Sequence, residues 1–216
     1  MELRFLNTSI GIAARDHNPT VLHPAFLASQ QIVTDVELLE PPICTPAFAV
    51  VKYANGLVFT AERERFQLLD SKMREDSSSS DIPYLATKYV KTLPHVRYTG
   101  VGINITAFVE CINPETFLIT RFLKPGEWND EILAVRDLGL NFVYEAPQAV
   151  LRLSCVAGTV RHSEIGEKRG ILLTANYHTD LPELETLKKA EEVMALYPEC
   201  CVHFSKVAKR ILGLAE

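Results

Sequence analysis

VRYTGVGINITAFV, residues 96–109, reads as one long strand, and its two sides differ. Val101, Ile103, Ile105, Ala107 and Val109 share the odd face, while Tyr98, Asn104, Thr106 and Phe108 share the even one. An apolar side against a mixed, polar side is the pattern of an antiparallel sheet packed on a core by one face only. Gly100 and Gly102 predict a close backbone approach or a bulge.

Working outward, residues 2–13 alternate as a strand with Leu6, Ile10 and Ile12 on one side. Residues 31–39 place Ile32, Val36 and Leu38 opposite Asp35 and Glu37, which predicts a strand with one wet side. The apolar run 47–54 reads as a central strand. Asn55-Gly56 then predicts a tight hairpin with both turn positions at positive φ. A third strand follows over 64–70, with Phe66 and Leu68 facing inward. The polar stretch 71–80 predicts a mobile loop, and Asp81 a helix cap. Behind that cap Ile82, Leu85, Ala86, Tyr89, Val90 and Leu93 fall on one helical face, which Pro94 ends.

In the second half a short helix is predicted near 114–123. Strands follow over 139–145, 149–157 and 169–178, with 158–168 as a polar connector. Asp180-Leu181-Pro182-Glu183 matches a capping box. The stripe Leu184, Leu187, Ala190, Met194 and Tyr197 would lie on the helix behind it. Pro198 opens a second helix carrying Cys201, Phe204, Ala208 and Ile211, and Gly213 stops it. The expected class is α+β: a mainly antiparallel sheet with packed helices, closed by two C-terminal helices. Residues 1–216 are expected to form a single domain, divisible into similar halves at about 1–123 and 124–216, since each runs strands and then a helix.

Three pieces together resemble a sporadically distributed bacterial family of uncharacterised proteins. They are Tyr98-Thr99-Gly100-Val101-Gly102-Ile103-Asn104-Ile105, the strand Ile171-Leu172-Leu173-Thr174-Ala175-Asn176-Tyr177, and the terminal helix with Phe204 and then Lys209-Arg210. The similarity covers roughly residues 45–212. Where that family tends to have an Arg-Tyr pair, this chain has Ile103-Asn104. Where it tends to have two aspartates, this chain has Thr174 and Asn176. The resemblance implies a fold and a bacterial source, and no activity.

The chain has 216 residues, 47% of them apolar and 23% charged, and a net charge of −5. An acidic balance without a Lys/Arg run disfavours nucleic acid as partner. No apolar run reaches the roughly 18 residues of a membrane helix, and the first twenty residues lack a signal-peptide core, so a cytoplasmic protein away from membranes is expected. The five cysteines are odd in number, irregularly spaced and contain no C-x-x-C, which disfavours a secreted disulfide framework.

Strand parity supplies the candidate site. Asn104 and Thr106, Arg152 and Ser154, and Thr174, Asn176 and His178 all point away from the apolar faces of their strands. If those strands are neighbours, the seven form a polar sheet face, with Arg152 suited to an anion and His178 to proton transfer. The ordinary reading of the same face is a solvated sheet side, which needs no ligand.

The other candidates have ordinary readings. His162-Ser163-Glu164 lacks the cysteine element of a zinc deaminase. Asp180, two residues from His178, is assigned to helix capping. Cys200-Cys201 and Cys155 are assigned to packing, and Trp128 to a core anchor or a partner site. No catalytic set, metal-ligand spacing or cofactor motif is found. The expected function is therefore non-enzymatic, through self-association or a protein partner. The alternative is small-molecule binding or weak catalysis on the polar face around Arg152, His178 and Asn104.

Overall fold

The computed structural model describes residues 2–126, 134–146 and 148–215. Trp128, for which a core anchor or partner site is expected, lies outside them. The strands are β1 (Leu3–Arg15), β2 (Ile43–Cys44), β3 (Phe48–Lys52), β4 (Leu57–Glu62), β5 (Arg65–Asp70), β6 (Arg97–Glu110), β7 (Leu140–Ala146), β8 (Ala149–His162) and β9 (Gly166–Asp180). The helices are α1 (Pro24–Ser29), α2 (Ile82–Thr92), α3 (Pro114–Phe122), α4 (Thr186–Ala195) and α5 (Tyr197–Leu212). Among the described residues the strands form one antiparallel sheet in the order β2-β3-β4-β5-β1-β6-β9-β8-β7. The fold is α+β, with two helices at its C-terminal end.

The order is built around the central β1–β6 pair. To one side lie β5, β4, β3 and the short β2, and to the other β9, β8 and β7. Each central strand pairs with the last strand of its own hairpin series, and a helix follows each series.

Side-chain parity puts the helices on one face. Ile10 and Ile12 stand opposite Ile103 and Val101, and these stand opposite Tyr177 and Thr179. Against this face pack α2 over β1 and β5, α4 over β6, α5 over β6 and β9, and α3 over β8 and β9. Ile10, Ile12, Val101, Ile105, Leu173 and Phe204 are fully buried there. Each such aliphatic side chain contributes about 1.5–3 kcal/mol by leaving water.

Two bulges set which residues share a face. One at Leu6 brings Phe5, rather than Leu6, into line with Ile10 and Ile12, and Phe5 meets Phe204 edge-on at 5.9 Å. The other inserts Thr99, beside Gly100, and rotates Tyr98 out of the polar face. Tyr98 is buried under the helices, its hydroxyl donating to the carbonyls of Val90 and Leu93. Strict alternation places Tyr98 wrongly because one extra residue reverses parity.

Residues 31–39 are not a strand. Gln31 and Asp35 adopt positive φ, 53° and 57°, which breaks extended backbone, and only Leu38 makes a bridge, to Tyr53. The run 47–54 forms β3 next to the short edge strand β2 rather than a central strand. Asn55-Gly56 does connect β3 to β4, but only Gly56 has positive φ, at 90°.

Asp81 precedes α2 without a capping hydrogen bond. Asp180 belongs to β9, and α4 begins only at Thr186, so the expected capping box is absent and Leu184 is exposed. The connector 158–168 is largely strand, continuing the β8–β9 hairpin to its tip.

The stretch 71–80 is anchored rather than loose. Asp70, 2% exposed, accepts from Arg74 Nε and Nη2 at 3.1 and 2.8 Å, from Ser80 Oγ at 2.6 Å and from the Lys72 amide at 3.1 Å. The Tyr197 hydroxyl lies 2.8 Å from both Thr8 Oγ1 and the Ser77 carbonyl, tying the segment to β1 and α5. Replacing Asp70 by Ala strands the Arg74 guanidinium and the Ser80 hydroxyl. The expected loss is about 3 kcal/mol of unfolding free energy, read by urea denaturation.

His17 is 2% exposed between β1 and α2. A carbonyl can only accept, so Nδ1–H donates to the Glu62 carbonyl (3.0 Å) and Nε2 accepts from the Tyr89 hydroxyl (2.8 Å). Tyr89 in turn stacks on Phe66 at 3.9 Å. Burial, with a contribution from the charge of His95, holds the His17 imidazole below its ordinary 6.5, despite the opposing Glu62 bond. The unfolded chain therefore binds this proton more readily than the folded one. The contribution of His17 to stability is complete above pH 6.5 and is lost as pH falls from there toward the lower folded value. Denaturation midpoints between pH 7.5 and 5 should decline, and His17→Phe should flatten that part of the decline.

Candidate functional site

The second face of the sheet carries no described helix, and the strand register lays its side chains out in rows. Asn7 (β1), Thr106 (β6), Thr174 (β9), Ser154 (β8) and Asn141 (β7) stand abreast. The next row is Leu69, Ser9, Asn104, Asn176, Arg152 and Val143. A third runs Gln67, Gly11, Gly102, His178 and Val150. All seven residues expected on a polar face are therefore on one face.

Six of them line a groove of about 540 Å³: Asn104, Thr106, Arg152, Ser154, Thr174 and Asn176. Asn141 and Val143 of β7 close its far side. His178 does not line it. One row away, its Nε2 lies 3.0 Å from the exposed carboxylate of Asp180. Freed from a capping role by the length of β9, Asp180 orients this imidazole instead.

A side-chain relay crosses four strands. Arg65 Nη2 donates to Gln67 Oε1 at 3.0 Å, and Gln67 Nε2 to Ser9 Oγ at 3.1 Å. Asn104 Nδ2 donates to the same Oγ at 3.2 Å, and Asn176 Nδ2 to Asn104 Oδ1 at 2.8 Å. Each such bond contributes about 1 kcal/mol at most, but together they fix the rotamers of the two asparagines. The Asn176 amide thus meets the groove in one orientation, next to the exposed Arg152.

Gly102 gives the Asn176 amide room, whereas Gly11 leaves Asn104 at ordinary contact distance. A Cβ on Gly102 would stand 3.0 Å from Asn176 Nδ2, and one on Gly11 would stand 3.8 Å from Asn104 Nδ2. Gly170 is tighter: a Cβ there would stand 2.2 Å from the Val109 carbonyl oxygen and 2.6 Å from the Phe108 ring. The Phe108 ring, on the polar face and 1% exposed, lies over the bare backbone of Gly170.

Asn7, Ser9, Asn141 and Gln67 also belong to this face, beyond the seven residues that strand parity predicts. The alternation of Asn7 and Ser9 with Thr8 and Ile10 was visible, but their value depends on β1 lying beside β6, which no local pattern reveals.

The remaining candidates fall elsewhere. His162 and Glu164 sit at the β8–β9 hairpin tip. Cys155, Cys200 and Cys201 are buried free thiols, all pushed up by burial, to about 11 for Cys155 and about 12 for Cys200. Among the described residues no three His, Cys, Asp or Glu side chains gather as a metal ion would require, and no helix is long and apolar enough to cross a membrane.

The two glycine contacts predict opposite outcomes. Gly102→Ala meets only the end of a side chain, so it should cost about 1 kcal/mol or less while shifting the Asn176 side-chain amide resonances in NMR. Gly170→Ala meets backbone, and should cost about 3 kcal/mol or more by denaturation. Compared with known proteins, the chain matches no family model, no curated protein and no solved structure.

Proposed function

We propose that this protein is a non-catalytic binding module, and that the groove on its open sheet face holds a small polar ligand bearing a negative charge. The observation that carries this reading is the composition of the groove. Its lining among the described residues offers hydroxyls, carboxamides and the Arg152 guanidinium, and includes no carboxylate, imidazole or thiol. Such a set can orient a ligand through several directional bonds and neutralise one charge, but it has no group to shuttle a proton near neutral pH. The held rotamers of Asn104 and Asn176 favour binding, because less freedom is lost when a ligand arrives.

A thermal-shift panel of sugar phosphates and small organic acids tests it. A ligand present at 100 times its dissociation constant should stabilise the fold by about 2.7 kcal/mol. Arg152→Ala should abolish the shift, and Asn104→Leu should reduce it about tenfold in affinity. A panel in which no anion raises the midpoint, or shifts that survive Arg152→Ala, would overturn the reading.

A second reading, association with another copy or a protein partner, is favoured by Val143. It is 70% exposed on β7, the last described strand of the sheet, with Val150 also exposed beside it. Light scattering on the eluting protein separates the two: a strict monomer at 100 times assay concentration ends the self-association form.

A further inference from the structure

A second cavity, of about 420 Å³, lies on the helical side of the sheet between the start of α5 and the β7 end. It shares no lining residue with the open-face groove. Its walls are largely carbon, from Leu196, Pro198, Val202 and the Tyr177 ring. Val202 is half exposed at this wall, an apolar side chain left to water where α5 could have carried a polar one.

Tyr177, 2% exposed, places its hydroxyl 2.8 Å from His203 Nδ1. Burial, with the thiols of Cys200 and Cys201 adding, pushes this phenol well above its ordinary 10, so it keeps its proton, and among the described residues Nδ1 is the one acceptor within reach of this buried O–H, which donates to it. In the neutral imidazole the proton then sits on Nε2, leaving an N–H donor. Lys206 follows His203 by three residues, on the same side of α5, and both line the cavity. Glu199 also lines it, but seven residues before Lys206, about 10 Å along the helix axis. The cavity is thus apolar in its body, positive at one end and negative at the other.

We propose that this cavity is a binding site for a small amphiphile with an apolar body and a single carboxylate. The body lies against Leu196, Pro198, Val202 and the Tyr177 ring, and the carboxylate accepts from Lys206 Nζ and His203 Nε2–H. The Tyr177 hydroxyl acts as a positioning group, fixing the imidazole tautomer that presents a donor. Apolar burial supplies most of the affinity, and the two donors select carboxylate over alcohol or amine.

Octanoate, 1-octanol and octylamine, titrated into the full-length protein by calorimetry and followed by His203 ring signals in NMR, test this. Octanoate is expected to bind at least fivefold more tightly than 1-octanol and more tightly still than octylamine. Lys206→Met, at an exposed position that does not endanger folding, should erase the preference for octanoate and leave 1-octanol unchanged. Lys209→Met, outside the lining, should change neither. No binding of octanoate at millimolar concentration would overturn the proposal. So would equal affinities for the three probes, a preference that survives Lys206→Met, or shifts that bypass His203.

Discussion

The pairing of β1 with β6 is the constraint on which the rest of this structure depends. It stacks Ile10 on Ile103 and Ile12 on Val101 under the helices, and on the other side it sets Ser9 against Asn104 and Gly11 against Gly102. Because side chains alternate along both strands, one register decides at once what is buried and what meets solvent. A slip by one residue would send the isoleucines to water and the amides into the core. The two bulges adjust this register only at its ends, at Leu6 and Thr99, where Phe5 and Tyr98 are turned inward to complete the packing under α5 and α2.

The two faces do different physical work. The helical face is dense and aliphatic and contains buried polar contacts, among them His17 with Tyr89 and Tyr197 with Thr8. Each is satisfied, as burial demands. The open face is a lattice of amides and hydroxyls whose internal bonds hold it in one arrangement without filling its hydrogen-bonding capacity. Ser9 is 4% exposed although no described helix covers it, since the side chains of Gln67 and Asn104 lie over it. The binding reading rests on this contrast between an ordered surface and an uncommitted one.

Much of this was legible in the sequence, for a physical reason that also marks the failures. Alternation is a local signal, so the polar parity of Asn104, Thr106, Arg152, Ser154, Thr174 and Asn176 could be read strand by strand, and the register then placed them abreast. Residues 31–39 alternate equally well yet form no strand, because positive φ at Gln31 and Asp35 is invisible to hydropathy. Asp180 has the sequence context of a helix cap, but its backbone is claimed by the pairing with Gly100. Ser9 and Gln67 could not be recognised at all, since their roles come from neighbours distant in the chain. Tyr177 and His203 are missed for the same reason: 26 residues separate them, and only the crossing of α5 over β9 makes them partners.

The hydrogen bond between Thr8 and Tyr197 spans 189 residues. Strand β1 is therefore completed only by partners far along the chain: by β5, by β6, and by α5, which satisfies its buried hydroxyl. Such long-range closure slows folding and lengthens the time during which the isoleucine-rich edge of β1 is unprotected.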